Sequence, residues 1–163
     1  MSLQVYCASE EQMQRLGQSL GARLRPGDVV LLRGEMGAGK SVLTRAAARA
    51  LGVEGPVPSP TFTILNIHEG RGMKLYHFDL YRLEGADALF EMGLDEFIPA
   101  GDGVCFIEWP QMAEEAMPQD ALEIAIDYAR DGMGRVATLT PRGGFDAGRL
   151  EGIGAEAHEG GKP

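Results

Sequence analysis

The stretch Gly34-Glu35-Met36-Gly37-Ala38-Gly39-Lys40-Ser41 matches the pattern G-x-x-x-x-G-K-[ST], which is typical of a loop that wraps around the phosphates of a nucleotide. An apolar run over residues 28–32 predicts a buried strand entering this loop, and residues 41–51 predict the helix that leaves it. Its glycines let backbone N–H groups turn towards phosphates, and the helix N-terminus adds partial positive charge. The stretch therefore predicts a strand, loop and helix that bind a nucleoside triphosphate with magnesium.

Two side chains of this loop carry the expected chemistry. Lys40 is expected to reach the β- and γ-phosphates, and the hydroxyl of Ser41 is expected to bind magnesium. The alternative is an ordinary glycine-rich turn between a strand and a helix. The nucleotide contacts predicted in this region come from Glu35, Met36, Gly37, Ala38, Gly39, Lys40, Ser41 and Val42.

Composition limits the classes of partner. The chain has 163 residues, enough for one domain with its own core, and its formal charge is -9 because 24 acidic residues outnumber 15 basic ones. This charge argues against unaided binding to nucleic acid or to an anionic membrane, so any contact with RNA should pass through a partner. The two cysteines, Cys7 and Cys105, lie far apart in apolar segments and are predicted to be reduced core thiols. With no leader pattern and no run of membrane-spanning length, a cytoplasmic protein is expected.

Alternating segments predict an α/β fold: a single P-loop domain whose mixed sheet is flanked by helices and contains antiparallel hairpins. Residues 62–69 and 73–81 predict one hairpin, and residues 121–128 and 135–140 predict a second, with Tyr128 facing inward. At the N-terminus, Ser9 and Gln12 form a possible capping box that opens a helix. The P-loop domain is assigned to residues 1–141. Residues 142–163 lack periodicity and are predicted to be a disordered tail.

Carboxylates at two strand ends extend the predicted site. The apolar strand over residues 103–108 ends in Glu108, the Walker B arrangement that places a carboxylate beside magnesium. Asp79 ends another predicted strand, on the same face as His77, and is expected to orient water or to bind magnesium through its outer shell. His77 by itself is more often a hydrogen-bonded core residue than a catalyst. The stiff proline-rich loop that precedes Thr61 is where a hydroxyl is expected to meet the magnesium and the γ-phosphate.

Taken together, four motifs resemble those of the bacterial TsaE (YjeE) ATPases, in order and in spacing. The family is required for threonylcarbamoyladenosine formation on tRNA. Beyond the widespread glycine-rich loop, the strings H-F-D-L-Y-R-L and I-E-W are quite specific to this family. The motifs are Gly34 to Ser41, Ser59-Pro60-Thr61-Phe62-Thr63, Tyr76-His77-Phe78-Asp79-Leu80-Tyr81-Arg82-Leu83 and Ile107-Glu108-Trp109.

The resemblance implies an ATPase that joins two partners, the TsaD transferase and its paralogue TsaB, in a complex that modifies the adenosine beside the anticodon. It implies that ATP and magnesium are held by Lys40, Ser41 and Glu108, with Thr61 and Asp79 around the γ-phosphate, Trp109 close by, and Ser9 near the nucleoside. Two residues depart from the family pattern. Val42 removes a possible hydroxyl contact to the α-phosphate, and Gln111 stands where an acid often follows the I-E-W string.

Rival functions share part of this pattern. A small-molecule kinase of shikimate-kinase type has nearly the same loop, but the chain lacks a D-x-D string after a second strand and an evident arginine-bearing lid. A GTPase is disfavoured because Asn66, the only asparagine, is not followed by Lys-x-Asp. A third possibility is a nucleotide-gated assembly module whose hydrolysis is incidental. The sequence favours phosphoryl transfer to water, slow in isolation, with Lys40, Asp79 and Glu108 as its catalytic residues.

Overall fold

In the computed structural model, which describes residues 2–159, seven strands form one sheet. The strands are β1 (Leu3–Cys7), β2 (Val29–Arg33), β3 (Leu65–Glu69), β4 (Lys74–Asp79), β5 (Gly103–Glu108), β6 (Ala121–Tyr128) and β7 (Arg135–Arg142). The α-helices are α1 (Glu10–Gly21), α2 (Lys40–Ala50), α3 (Ala86–Glu91) and α4 (Ile153–Glu159), and short 3₁₀ helices cover Leu94–Phe97, Pro110–Ala116 and Ala147–Leu150.

The sheet is mixed, with the strand order β1-β7-β6-β2-β5-β4-β3. Its centre is parallel, because β2 lies between β5 and β6 and β4 continues on the far side of β5. Antiparallel hairpins, β3–β4 and β6–β7, lie on either side of this centre, and β1 completes one edge beside β7. The expected mixed sheet with helices and antiparallel hairpins is therefore confirmed.

Each face of the sheet has its own core. One core joins α1, α2 and α4 to the sheet, and the other joins α3 and the neighbouring loops. Helices α1 and α2 approach closely, since a Cβ on Gly17 would lie 2.5 Å from the carbonyl oxygen of Leu43 and one on Gly21 would lie 2.6 Å from that of Ala47. The capping prediction is also confirmed: Ser9 accepts a hydrogen bond from the backbone N–H of Gln12 (3.2 Å). This close packing fixes the N-terminus of α1 beside that of α2.

The first predicted hairpin starts later than expected. Strand β3 begins at Leu65 and not at residue 62, because the N–H of Ile64 donates to the carbonyl oxygen of Pro60 (2.7 Å) and closes a turn. Ile64 has a φ of 68°, which a strand does not permit. The inward placement of Tyr128 is also wrong. That side chain is 49% exposed at the end of β6, with the guanidinium of Arg135 stacked 4.1 Å from its ring centroid.

The prediction of a disordered tail from residue 142 is wrong for the described residues. Strand β7 extends to Arg142, and α4 follows after a 3₁₀ helix. Ile153 and Ala157, four residues apart, are fully buried against the core that contains α1, and Arg23 forms an ion pair with Glu156. The domain therefore continues past residue 141, because α4 buries these two side chains in the core of the domain. The final part of the predicted tail, residues 160–163, lies outside the described residues.

Both cysteines lie in the core, as the sequence predicts. Cys7 and Cys105 are free and buried. Burial raises the pKa of the Cys7 thiol to about 11 and that of Cys105 to about 12, so both stay protonated at neutral pH.

Between residues 2 and 159, no helix combines the length and the apolar character that crossing a bilayer requires.

Candidate nucleotide-binding site

The loop between β2 and α2, residues 34–39, curls because its three glycines adopt positive φ angles. These angles are 150° at Gly34, 79° at Gly37 and 120° at Gly39. A side chain would not fit at Gly34, since its Cβ would lie 2.7 Å from the carbonyl oxygen of Ile126 on β6. The N–H of Ala38 donates to the carbonyl oxygen of Glu35 (3.1 Å) and closes the loop at the start of α2. The backbone therefore forms a concave cradle of the kind that binds anions at a helix N-terminus.

Lys40 lies at the centre of this cradle and is only 5% exposed. Its ammonium donates to the carbonyl oxygen of Gly34 (2.5 Å) and lies 4.1 Å from the ring centroid of Trp109. Burial lowers the pKa of Lys40, while the nearby charges of Glu108 and Asp79 oppose this shift. The protein thus holds a buried cation with a backbone dipole and an aromatic face, and an anionic ligand would be a stronger partner for it.

Asp79 and Glu108 lie side by side because they end neighbouring parallel strands. They are register partners across β4 and β5, and both are at least 95% buried. Oδ1 of Asp79 accepts a hydrogen bond from the N–H of Tyr81 (3.0 Å), and Oδ2 accepts one from the hydroxyl of Thr61 (3.1 Å). Oε2 of Glu108 accepts instead from Nε2 of His77 (2.7 Å). Each carboxylate is therefore oriented by different partners.

The segment that precedes β3 contributes hydroxyl groups to the same place. Ser59 and Thr61 share a hydrogen bond between their side-chain oxygens (2.9 Å), and Thr61 in turn contacts Asp79. The carbonyl oxygen of Pro58 accepts from the side-chain amide of Asn66 at the start of β3 (3.4 Å). The proline-rich loop is thereby tied to the β3–β4 hairpin, with its hydroxyl groups next to a carboxylate.

Adjoining cavities contain nearly all of the predicted site residues. The first, of about 310 Å³, is lined by Met36, Gly37, Gly39, Lys40, Ser41, Val42, Ser59, Thr61, Asp79, Glu108 and Trp109. The second, of about 210 Å³, shares Gly37, Gly39 and Val42 with it and adds Ala38 and Ser9. Glu35, the one predicted residue that lines neither, lies within the loop. The structure therefore brings these residues together, while their roles towards ATP and magnesium stay predictions.

Sequence reasoning missed one wall of the second cavity. Met133 and Arg135, from the β6–β7 hairpin, line it together with Cys7 and Met13. The turn at residues 131–134 belongs to the predicted second hairpin, but its position over the loop depends on the placement of β6 beside β2. Asp131 orders this turn by accepting hydrogen bonds from the hydroxyl of Tyr6 (2.6 Å) and from the N–H of Met133 (2.8 Å). No local pattern indicates this contact.

Comparison with known proteins identifies the family. A family model described as "Threonylcarbamoyl adenosine biosynthesis protein TsaE" matches residues 7–136. The chain belongs to the TsaE family. It is 41% identical over 121 residues to the tRNA threonylcarbamoyladenosine biosynthesis protein TsaE of Bacillus subtilis, covering 74% of this chain and 75% of that protein. It is 43% identical over 120 residues to the TsaE protein of Streptomyces coelicolor, with 72% and 80% covered.

A solved structure agrees with this TsaE assignment. The crystal structure of YdiB from Bacillus subtilis superimposes with a TM-score of 0.73 at 33% sequence identity, and covers 96% of this chain and 94% of that one. The resemblance found in the motifs is therefore confirmed, and the family's role is tRNA threonylcarbamoyladenosine biosynthesis. The structural match extends past residue 136, where the family model ends.

The residues at this site suit magnesium. Mg²⁺ prefers hard oxygen ligands, and it usually takes one or two protein carboxylates while phosphates and water supply the rest. The hydroxyl of Ser41 and the carboxylate of Glu108, which line the cavity around Lys40, would supply such ligands. In the part of the chain that the structure describes, no three His, Cys, Asp or Glu side chains cluster as metal ligands. This donor set fits an ion that is shared with a phosphorylated ligand.

Proposed function

We propose that this TsaE-family protein binds ATP with magnesium and hydrolyses it as the nucleotide-dependent component of tRNA threonylcarbamoyladenosine biosynthesis. The observation that carries this proposal is the convergence of Lys40, Asp79 and Glu108 on one cavity at the N-terminus of α2. A buried cation, a helix N-terminus and two oriented carboxylates suit phosphoryl transfer, in which catalysis is mainly positioning and electrostatic stabilisation.

The phosphates would be bound by the cradle and by Lys40. The Lys40 ammonium has a neutral oxygen and a ring as its closest partners, so a charged phosphate oxygen would replace the weaker of these contacts. Ser41 and Glu108 would hold magnesium, and the ion would neutralise charge that develops on the phosphate oxygens. The loop residues from Glu35 to Val42 would surround the phosphates through their backbone.

Asp79 is suited to orient the attacking water. Both of its oxygens are already fixed, by Thr61 and by the N–H of Tyr81, so the carboxylate needs no reorganisation as the water aligns. Thr61 and Ser59 would lie near the γ-phosphate, where a change from triphosphate to diphosphate alters their contacts. The nucleoside would occupy the second cavity, near Ser9.

Hydrolysis by the isolated protein should be slow because, between residues 2 and 159, no arginine lines the cavity around Lys40. Arg82 stacks on the exposed ring of Phe62, 4.2 Å from its centroid. Arginine often supplies the charge that accelerates such transfers, in cis or from a partner. We therefore propose that TsaD and TsaB homologues complete the site.

Net charge supports an indirect role towards tRNA. With a formal charge of -9, the chain offers few basic groups to displace counterions from phosphates. We propose that tRNA is reached through the TsaD and TsaB partners, in the cytoplasm and away from membranes. In this scheme the ATPase regulates assembly or turnover of the complex. The alternative of a nucleotide-gated assembly module is therefore part of the same proposal.

The decisive experiment combines nucleotide binding with reconstituted tRNA modification. ATP should bind better than GTP, and ATP with TsaB and TsaD homologues should stimulate threonylcarbamoyl transfer. The same preparation is screened with small hydroxylated metabolites as phosphate acceptors. Efficient phosphorylation of one metabolite, without any response to TsaB and TsaD, would establish the small-molecule kinase of shikimate-kinase type instead.

A further inference from the structure

We propose that His77 is a positioning residue that holds the Glu108 carboxylate for magnesium, and that a buried water behind it links His77 to His68. The inference rests on the proposed function, because it assigns a task to the carboxylate expected to bind the ion. The sequence alone left His77 as an ordinary core histidine.

The first step is the contact between the imidazole and the carboxylate. His77 is 2% exposed and Glu108 is 4% exposed, and Nε2 of His77 lies 2.7 Å from Oε2 of Glu108. A carboxylate oxygen accepts hydrogen bonds, so Nε2 carries the proton and donates it to Oε2. One oxygen of Glu108 is thereby occupied on the protein side. Its other oxygen, Oε1, remains available to a cation in the cavity that Glu108 lines.

The second step concerns the alternative partner of Glu108. Lys40 and Glu108 line the same cavity. The terminal torsion of a glutamate is broad, so a carboxylate without His77 is free to turn towards that ammonium. A Lys40–Glu108 ion pair would withdraw both groups from an incoming nucleotide and its ion. The bond to His77 opposes this pairing.

The third step concerns Nδ1, the other nitrogen of the His77 imidazole. Between residues 2 and 159, Nδ1 of His77 and Nε2 of His68 are among the few buried side-chain atoms without a protein hydrogen-bond partner. Asn66 pairs with His77 across the β3–β4 hairpin, and His68 is two residues further along the same face, so the two rings are diagonal neighbours. Buried polar atoms of this kind are usually joined by water.

The protonation pattern determines what that water does. In a neutral imidazole whose Nε2 donates to Glu108, Nδ1 is an acceptor and requires a donor. A water between the rings would donate to Nδ1 of His77 and form its second bond with Nε2 of His68. Burial is the main cause that lowers the pKa of His68, which favours a neutral ring there. The His68 ring, the water and the His77 ring would thus form a chain of hydrogen bonds that ends at the Glu108 carboxylate and holds it in place.

The test compares two substitutions of His77. Glutamine at this position keeps an N–H donor on a side chain of similar reach, whereas leucine fills the space without a donor. The fluorescence of Trp109, the only tryptophan, reports binding of ADP and ATP while Mg²⁺ is titrated. We expect His77→Leu to weaken the apparent Mg²⁺ affinity by about tenfold or more, the usual effect of removing a group that supports a metal ligand. His77→Gln should restore that affinity to within about threefold of the unaltered protein, which is less than the smallest loss expected for leucine.

The matched control is His158→Gln, the same chemical change at the exposed histidine of α4, which should leave the Mg²⁺ affinity unchanged. Equal Mg²⁺ affinities for His77→Leu, His77→Gln and the unaltered protein would overturn the proposal. Nitrogen-15 NMR provides a second readout that needs neither nucleotide nor metal. With only three histidines in the chain, the His77 ring should be seen protonated at Nε2 with a slowly exchanging proton.

The outcomes separate this inference from the proposed function. If no nucleotide binds but the NMR tautomer is as expected, the proposed function fails while the contact of His77 with Glu108 stands. A His77 ring protonated only at Nδ1 would overturn the inference even if ATP is hydrolysed. This NMR test can be made on the unaltered protein, so it applies even if the leucine variant does not fold. A high-resolution crystal structure should show the water between the rings, and the proposed link to His68 is wrong if the two nitrogens have no shared solvent density.

Discussion

The ammonium of Lys40 lies 4.1 Å from the ring centroid of Trp109 and also donates to the carbonyl oxygen of Gly34. Trp109 directly follows Glu108 and holds a left-handed backbone conformation, with φ of 59° and ψ of 47°. An uncommon conformation of this kind in a bulky residue is maintained only when the surrounding contacts enforce it. It directs the indole back over the glycine-rich loop, so the cation and its aromatic neighbour form part of one site.

Nucleotide binding should therefore change the fluorescence of Trp109. A phosphate that engages Lys40 alters the charge over the indole ring, and Trp109 is the only tryptophan in the chain. We expect ATP with Mg²⁺ to give a saturable change in emission. Lys40→Ala should abolish that change together with triphosphate binding, because it removes the side-chain charge placed in the cradle. Lys74→Ala, at a partly exposed lysine paired with Glu69 and Asp102, is the control. A Lys40→Ala variant that binds and hydrolyses ATP normally would contradict the proposed phosphate site.

Removing either carboxylate should stop hydrolysis without unfolding the protein. Asp79→Asn and Glu108→Gln keep the side-chain volume, so circular dichroism should be unchanged. We expect the rate of phosphate release to fall by roughly 10²–10³, the usual loss when one preorganised electrostatic group is removed. Glu108→Gln should in addition raise the Mg²⁺ concentration needed for binding. Glu115→Gln, at an exposed carboxylate, should retain the full rate. Full activity in both site variants would mean that the strand ends are only structural.

The packing of α1 on α2 predicts a contrast between two glycines. A Cβ on Gly17 would lie 2.5 Å from a backbone oxygen of α2, so Gly17→Ala should force the helices apart and cost about 1–3 kcal/mol of unfolding free energy. A Cβ on Gly154 of α4 would meet only a side-chain atom of Val5, at an ordinary 3.6 Å. Gly154→Ala should therefore be neutral or slightly stabilising, since alanine favours a helix. Urea unfolding measures the unfolding free energy of both variants, and equal changes for the two would contradict the close contact between α1 and α2.

The C-terminal helix should contribute to stability. Ile153 is fully buried in the core that contains α1, so Ile153→Ala should lower the unfolding free energy by about 2–5 kcal/mol. Ala155, which is exposed on the same helix, provides the control: Ala155→Ser should change stability by less than about 0.5 kcal/mol. Thermal unfolding followed by circular dichroism compares the variants. A disordered segment would leave both substitutions without effect.

The ion pair that attaches this helix should depend on pH. Arg23, followed by Ser19, lowers the pKa of Glu156 from 4.5 to about 2. A carboxyl group whose pKa is lower in the folded protein stabilises the fold above its unfolded pKa, and this stabilisation disappears as the pH falls to the folded value. The stability difference between the unaltered protein and Glu156→Gln should therefore be largest above pH 4.5 and vanish near pH 2. It should be small and weakened by salt, because the Glu156 side chain is 49% exposed.

Much of the secondary structure follows from short-range patterns. Strands β5 and β6 have the predicted bounds, and the capping of α1 by Ser9 follows from residues three apart. The errors occurred where tertiary contacts override or supply the local signal. A hydrogen bond from Ile64 to Pro60 closes a turn that delays the start of β3 to Leu65. Helix α4 forms from a glycine- and alanine-rich segment because its few apolar residues are buried in a core.

By itself, the sequence determined which chemical groups stand at the ends of which elements: the glycine-rich loop before α2, Asp79 at the end of β4 and Glu108 at the end of β5. Periodicity and turn chemistry act over a few residues, and they are visible in any single stretch of chain. Only the tertiary structure decided which of these ends are neighbours. The order of the strands makes Asp79 the register partner of Glu108 and brings Met133 over the loop, and the close contact of α1 with α2 places Ser9 beside it. Strand order and helix packing arise from burial summed over the whole chain, so no local pattern encodes them.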